Sequence, residues 1–174
     1  DTIPYINRVM THMLLRDKYR MIAVLDMQEN TVFVRKHTFE NTEIPCDSPL
    51  EYEGFIRELS EKCIQEKSRE WFRTSASLNT MEENLQVAGI YSFTVYNADR
   101  GVERYTYQWL DKEYREVLIA VEDRTVEMEK DPLTDYLNRD GFVRKTENIL
   151  KKNADRYQFA IIYFNIRKFS GLND

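Results

Sequence analysis

The sequence is poor in the residues that would staple a fold or cross a membrane. Cysteine occurs twice in 174 residues, as Cys46 and Cys63. That number and spacing exclude a disulfide scaffold, and His12 and His37 lie too far from any cysteine pair for a zinc site. Two reduced thiols in a cytoplasmic chain are the expectation. No apolar run approaches the ~20 residues that span a bilayer, and no signal peptide opens the chain. A basic excess is missing as well: 25 Lys+Arg stand against 30 Asp+Glu, for a net charge of −5. That balance argues against a nucleic-acid partner, whose phosphates require a basic patch. What is present is 42% hydrophobic and 13% aromatic content, enough for one packed core and a second small element. Charged residues reach 32% with mixed signs, which is not the composition of a disordered chain.

Periodicity divides the chain. In residues 1–19, Ile3, Ile6, Met10 and Met13 recur at three-four spacing, with Val9 and Leu14 beside them. A helix with that seam either covers the sheet that follows or pairs two copies in a homodimer. Residues 20–125 open with two strand-like stretches, 21–27 and 31–37, around a turn at Gln28-Glu29-Asn30. Ser48-Pro49-Leu50-Glu51 reads as a helix start, with Ser48 as cap and Pro49 at the first position. Tyr52, Phe55, Ile56, Leu59 and Cys63 give that helix an apolar face. Thr80 with Glu83 marks another helix start, and Gly89 its stop.

After Gly89 the period becomes two. Tyr91, Phe93 and Val95 share one strand face, and a turn follows at 97–101. Tyr105, Tyr107 and Trp109 line the next strand, and 117–121 forms a third, ending in Asp123-Arg124-Thr125. Strands flanking a helical block predict an α+β domain with a five-stranded antiparallel sheet and a helical connector. The rings of Tyr91, Phe93, Tyr105, Tyr107 and Trp109 either pack as ordinary core or line a pocket for an unidentified small ligand. Neither histidine lies on the helical connector, so there is no haem signature, and neither cysteine sits in a recognisable flavin motif.

That order of two strands, helical connector and three strands resembles a PAS sensor domain. Glu122-Asp123-Arg124-Thr125 looks like the D-I-T ending that PAS domains carry ahead of an output domain, with Arg124 in place of isoleucine. The resemblance implies that Asp123 and Thr125 tie the sheet to the exit segment and relay a signal. Residues 126–130 (VEMEK) contain no glycine and predict a stiff helical linker. Asp131, Leu133, Thr134, Asn138 and Arg139, with Phe142 three positions further on, resemble the D-x-L-T-x-L-x-N-R opening of the GGDEF domain, the diguanylate cyclase module. Phe169, Asn173 and Asp174 match that family's D-x-D-x-F-K-x-x-N-D element.

The resemblance implies that 131–174 is the truncated start of a GGDEF domain, a helix and a strand. Phe142, Thr146, Ile149 and Leu150 give the helix its stripe, and residues 159–164 form the apolar strand. This stretch has eight basic and six acidic residues, net +2, against −7 for residues 1–130. The family condenses GTP to cyclic di-GMP on Mg²⁺, which prefers carboxylate oxygens. Here Asn165 stands at the first metal position, beside the backbone carbonyl of Ile166, and Arg167 stands at the second acid position. An amide brings no negative charge and Arg167 adds a positive one, so the metal element is degenerate. Asn173 keeps the position that reads the guanine edge. The expectation is a fragment that is not itself an enzyme, with no catalytic residues and no cofactor of its own. Mg²⁺ and GTP would enter only if the longer protein's GGDEF domain is competent. That longer protein is read as a PAS–GGDEF signalling protein, or as a GGDEF–EAL phosphodiesterase in which this part serves dimerisation. Both readings leave room for a membrane anchor upstream.

Overall fold

The computed structural model describes residues 19–40, 42–153, 160 and 162. Two compact units divide the chain, Asp1–Met128 and Glu129–Asp174. In the first, six strands form one antiparallel sheet: β1 Tyr19–Asp26, β2 Thr31–His37, β3 Pro49–Glu51, β4 Ile90–Tyr96, β5 Val102–Asp111 and β6 Glu116–Asp123. Their order is β3-β2-β1-β6-β5-β4. Between β3 and β4 lie helices α1 Tyr52–Lys62, α2 Arg69–Ser75 and α3 Leu78–Ala88, with a 3₁₀ turn at Glu66–Ser68. A single helical turn, α4 Thr125–Met128, follows β6. The α+β class is as the sequence predicts.

The sheet has six strands rather than five, and the sixth lies where the sequence suggested a helix start. Pro49–Glu51 is extended and pairs with Thr31–Phe33. Proline suits an edge strand for the same reason that it suits the first turn of a helix: its missing N–H is not needed. The cap of α1 is therefore Glu51 and not Ser48, its carboxylate accepting from Glu53 N at 2.9 Å and Gly54 N at 2.6 Å. Likewise α3 begins at Leu78 with Ser77 as cap, three residues before the predicted Thr80 start. Gly89 closes α3 in the left-handed region, φ 73°, as expected of a C-terminal glycine.

One face of the sheet packs under the helices. Met21, Ala23 and Leu25 of β1 and Val117, Ile119 and Val121 of β6 meet Tyr52, Leu59, Phe72, Met81 and Leu85 from the helical block in one buried core. Full burial of such side chains is worth roughly 1.5–3 kcal/mol each. The alternate residues Ile22, Leu118 and Ala120, with Tyr19, form a smaller buried cluster on the other face. Both faces of β1 and β6 are apolar, which is why 117–121 reads as a continuous run. The predicted helix over 1–19 lies outside the described residues, apart from Tyr19, which belongs to β1.

The second unit opens with a compact turn. Asp131 Oδ1 accepts from Leu133 N, Thr134 N and Thr134 Oγ1 at 2.9–3.0 Å. Asn138 Oδ1 accepts from Gly141 N at 3.0 Å and so caps α5, Arg139–Asn153. A Cβ at Gly141 would overlap the Glu129 carbonyl oxygen and lie 2.7 Å from Glu129 Cβ, so only glycine allows that approach. Phe142, Ile149 and Leu150 remain 41–48% exposed. The predicted helical linker over 126–130 is shorter: α4 ends at Met128, and Lys130 instead bridges to Leu137. The predicted strand over 159–164 lies outside the described residues, apart from exposed Ala160 and Ile162. Among the described residues no helix is long and apolar enough to cross a membrane.

Candidate functional site

The sheet's exit turn and the β4–β5 hairpin are bonded to each other. Asp123 Oδ1 accepts from Thr125 N at 2.9 Å, closing a turn just as β6 ends. Thr125 Oγ1 accepts from Val102 N at 2.9 Å, and Arg124 N donates to Val102 O at 2.8 Å. Thr125 is buried, so its hydroxyl bond with Val102 N is shielded from water. Of the two predicted relay residues, Thr125 bonds the first residue of β5, while Asp123 holds the Thr125 amide and lies opposite Glu103. Gly101 makes this possible, because a Cβ there would sit 2.8 Å from Thr125 Oγ1 and 2.9 Å from Asn97 Nδ2.

Asn97 organises the hairpin. Its backbone N donates to Gly101 O at 2.9 Å and its Oδ1 accepts from Gly101 N at 2.7 Å. Its Nδ2 donates to Glu103 Oε1 at 3.0 Å. The same oxygen accepts from Arg20 Nη1 at 2.7 Å, while Tyr105 Oη donates to Glu103 Oε2 at 3.3 Å. The Glu103 side chain is wholly buried. Burial holds its proton affinity above the ordinary carboxylate range; the bonds from Asn97, Arg20 and Tyr105 oppose this, and the negative charge of Asp123 adds to it. Arg20 also lies over the Phe39 ring, 5.2 Å from its centroid. A cavity of about 110 Å³ opens beside the pair, with Cys63, Glu40 and Asp99 on its wall. Burial pushes the Cys63 thiol up to about 11, with Glu103 adding to the effect, so it stays protonated near neutrality. Ala98 N donates to Cys63 O at 2.9 Å, which fastens the end of α1 to the same hairpin.

Of the five predicted pocket residues, Tyr91, Phe93, Tyr105 and Tyr107 stack on one another, and Trp109 packs against the same helix-covered core. Phe93 stacks with Tyr105 at 5.5 Å and with Tyr107 at 6.0 Å between centroids, and Tyr91 stacks with Tyr107 at 6.2 Å. Phe72 of α2 meets Tyr105 edge-on at 5.1 Å. Tyr52 Oη donates to Ala76 O at 2.8 Å and lies 3.2 Å from Tyr107 Oη. Trp109 Nε1 donates to Leu85 O at 3.2 Å. The rings of Phe93, Tyr105 and Tyr107, the hydroxyls of Tyr105 and Tyr107 and the Trp109 indole N–H are thus engaged by neighbouring protein groups, as in a packed core. A surface groove of about 460 Å³ lies between α1 and the α2–α3 connection, and among these aromatic groups Tyr52 alone lines it.

Arg20, Asn97 and Glu103 carry the site and were not singled out in the sequence. A signal for Glu103 existed: it shares the two-residue parity of Tyr105, Tyr107 and Trp109, which puts a carboxylate on the core face. The predicted nucleotide and metal positions, Asn173, Asn165 and Ile166, lie outside the described residues. Among the described residues no three His, Cys, Asp or Glu side chains converge as a metal would need.

Fold and site together define an α+β unit whose antiparallel sheet carries a buried polar cluster at the end from which the chain leaves. No protein-family model matches the sequence, and no curated protein matches it.

Proposed function

We propose that the chain is the sensory and regulatory part of a bacterial cyclic di-GMP signalling protein of PAS–GGDEF type, cytoplasmic and dimeric, which passes a signal from its sheet to a GGDEF output domain. The observation that carries this reading is the bonding of the exit turn to the β4–β5 hairpin through Thr125 and Val102. A change in the sheet that shifts this hairpin must also strain the segment leading to Asp131, because the two share buried hydrogen bonds. The capping roles of Asp131 and Asn138 support the reading further, since they give a structural purpose to two residues of the GGDEF-like opening.

The longer protein tests it, assayed with GTP and Mg²⁺ for synthesis and with cyclic di-GMP for hydrolysis. The expected result is a Gly-Gly-(Asp/Glu)-Glu-Phe-like turn downstream of Asp174 and a cyclic di-GMP activity whose rate changes in Thr125→Val. Absence of both the turn and any such activity overturns the proposal. Hydrolysis without synthesis selects the GGDEF–EAL alternative, which Asn165 and Arg167 favour because neither supplies the negative charge that a magnesium site requires.

A further inference from the structure

We infer that Glu103 is a positioning residue that couples the strand by which the chain enters the sheet to the turn by which it leaves. Its Oε1 is held at once by Arg20, the second residue of β1, and by Asn97 of the hairpin, at 2.7 and 3.0 Å. Asn97 Oδ1 holds Gly101 N, and the adjacent Val102 N is held by Thr125 Oγ1. From Arg20 to Thr125 the chain of contacts passes through groups that are buried or nearly so, where polar bonds reinforce each other and a broken one leaves its partner unsatisfied. Strand register brings the parts together: Tyr19 lies opposite Glu122, and Glu103 opposite Asp123. A shift in the segment ahead of Arg20 therefore bears on residues 123–125 without passing through the aromatic core. A buried ion pair is a poor source of stability compared with apolar packing, but it has two discrete conditions, made and broken, as a switch element needs. The charged groups around it are Arg20 from β1, Asp123 from β6, and Glu40 and Asp99 at the cavity wall.

This inference rests on the proposed function only in naming 123–125 as the output end; the experiment reads coupling within this chain, whatever the longer protein synthesises. Amide hydrogen exchange of the 174-residue chain is followed by NMR in wild type, Arg20→Met, Arg20→Lys and Glu103→Gln. Arg20 makes no bond to the Val102 or Arg124 amides. In Arg20→Met these two amides are expected to exchange faster by on the order of tenfold, while those of Val34 and Ile119 keep their protection. Arg20→Lys, which keeps the charge, is expected to show a smaller rise at the same amides. Glu103→Gln, which loses the ionic partner but keeps the shape, is expected to match Arg20→Met. Acceleration spread evenly over the sheet, or none at Val102 and Arg124, overturns the inference. Should Arg20→Met not fold, Arg20→Lys and Glu103→Gln decide by the same two amides.

Discussion

Glu103 makes the stability of the sheet unit depend on pH in an unusual direction for a carboxylic acid with a basic partner. Burial is the largest influence on it and outweighs the bonds from Asn97, Arg20 and Tyr105, so the folded chain holds its proton more tightly than the unfolded chain does. Below the ordinary value of 4.5 both states are protonated and Glu103 has no effect. As pH rises through that value the unfolded chain gives up its proton first, and stability falls until the folded group has ionised too. Denaturant unfolding of wild type and Glu103→Gln between about pH 4 and pH 7 should therefore show the wild type losing stability relative to the variant. Glu58 and Glu82 titrate lower than usual because of bonds from Thr42 and Arg115, and they are common to both proteins, so they cancel in the difference. A difference that stays flat across this range would show that burial does not govern Glu103. Residue parity on β5 carried a signal that this acid faces inward, although it was not singled out. Its partner Arg20 was not legible, because 83 positions separate the two and only strand pairing joins them.

At the scale of elements, local chemistry was most readable where one residue acts alone. Gly89 ends α3 with φ 73° because a left-handed residue costs glycine nothing. The turn at 97–101 forms where predicted, with Arg100 at φ 63°. Where two signals overlapped, the reading shifted by a few residues. Ser48 and Ser77 are both helix-capping types, yet only Ser77 caps, since the residues after Ser48 are extended in β3 and the helix starts behind Glu51, which caps it instead. The consequence is measurable. Glu51→Ala removes the acceptor for Glu53 N and Gly54 N, and also that for Asn30 Nδ2 at 3.4 Å. The loss should be about 1 kcal/mol, seen as a lower denaturant midpoint with an unchanged slope. Ser48→Ala should leave the midpoint where it was.

Over the whole molecule, the division between Met128 and Glu129 separates a sheet unit with its own buried core from a unit whose helix keeps an apolar stripe half exposed. A chain ending at Met128 is therefore expected to unfold in one cooperative transition with a midpoint close to that of the full chain. A broad transition or a large drop in midpoint would mean that the sheet unit depends on residues 129–174. The sequence by itself determined the α+β class, the order of strands around a helical block, the shared faces of the rings on β4 and β5, the helix stop at Gly89 and the turn at 97–101. Each of these follows from periods of two or 3.6 and from the backbone preferences of single residues, which act over a few positions. Tertiary structure decided the rest. It recruited Pro49–Glu51 as a sixth strand, because an edge of β2 was open to pairing. It filled the face carrying Tyr105 and Tyr107 with Phe72 and Tyr52, whose distance in sequence hides their contact. And it gathered Arg20, Asn97, Glu103 and Thr125 into one cluster, because the pairing of β1 with β6 and of β6 with β5 places residues from both ends of the unit side by side.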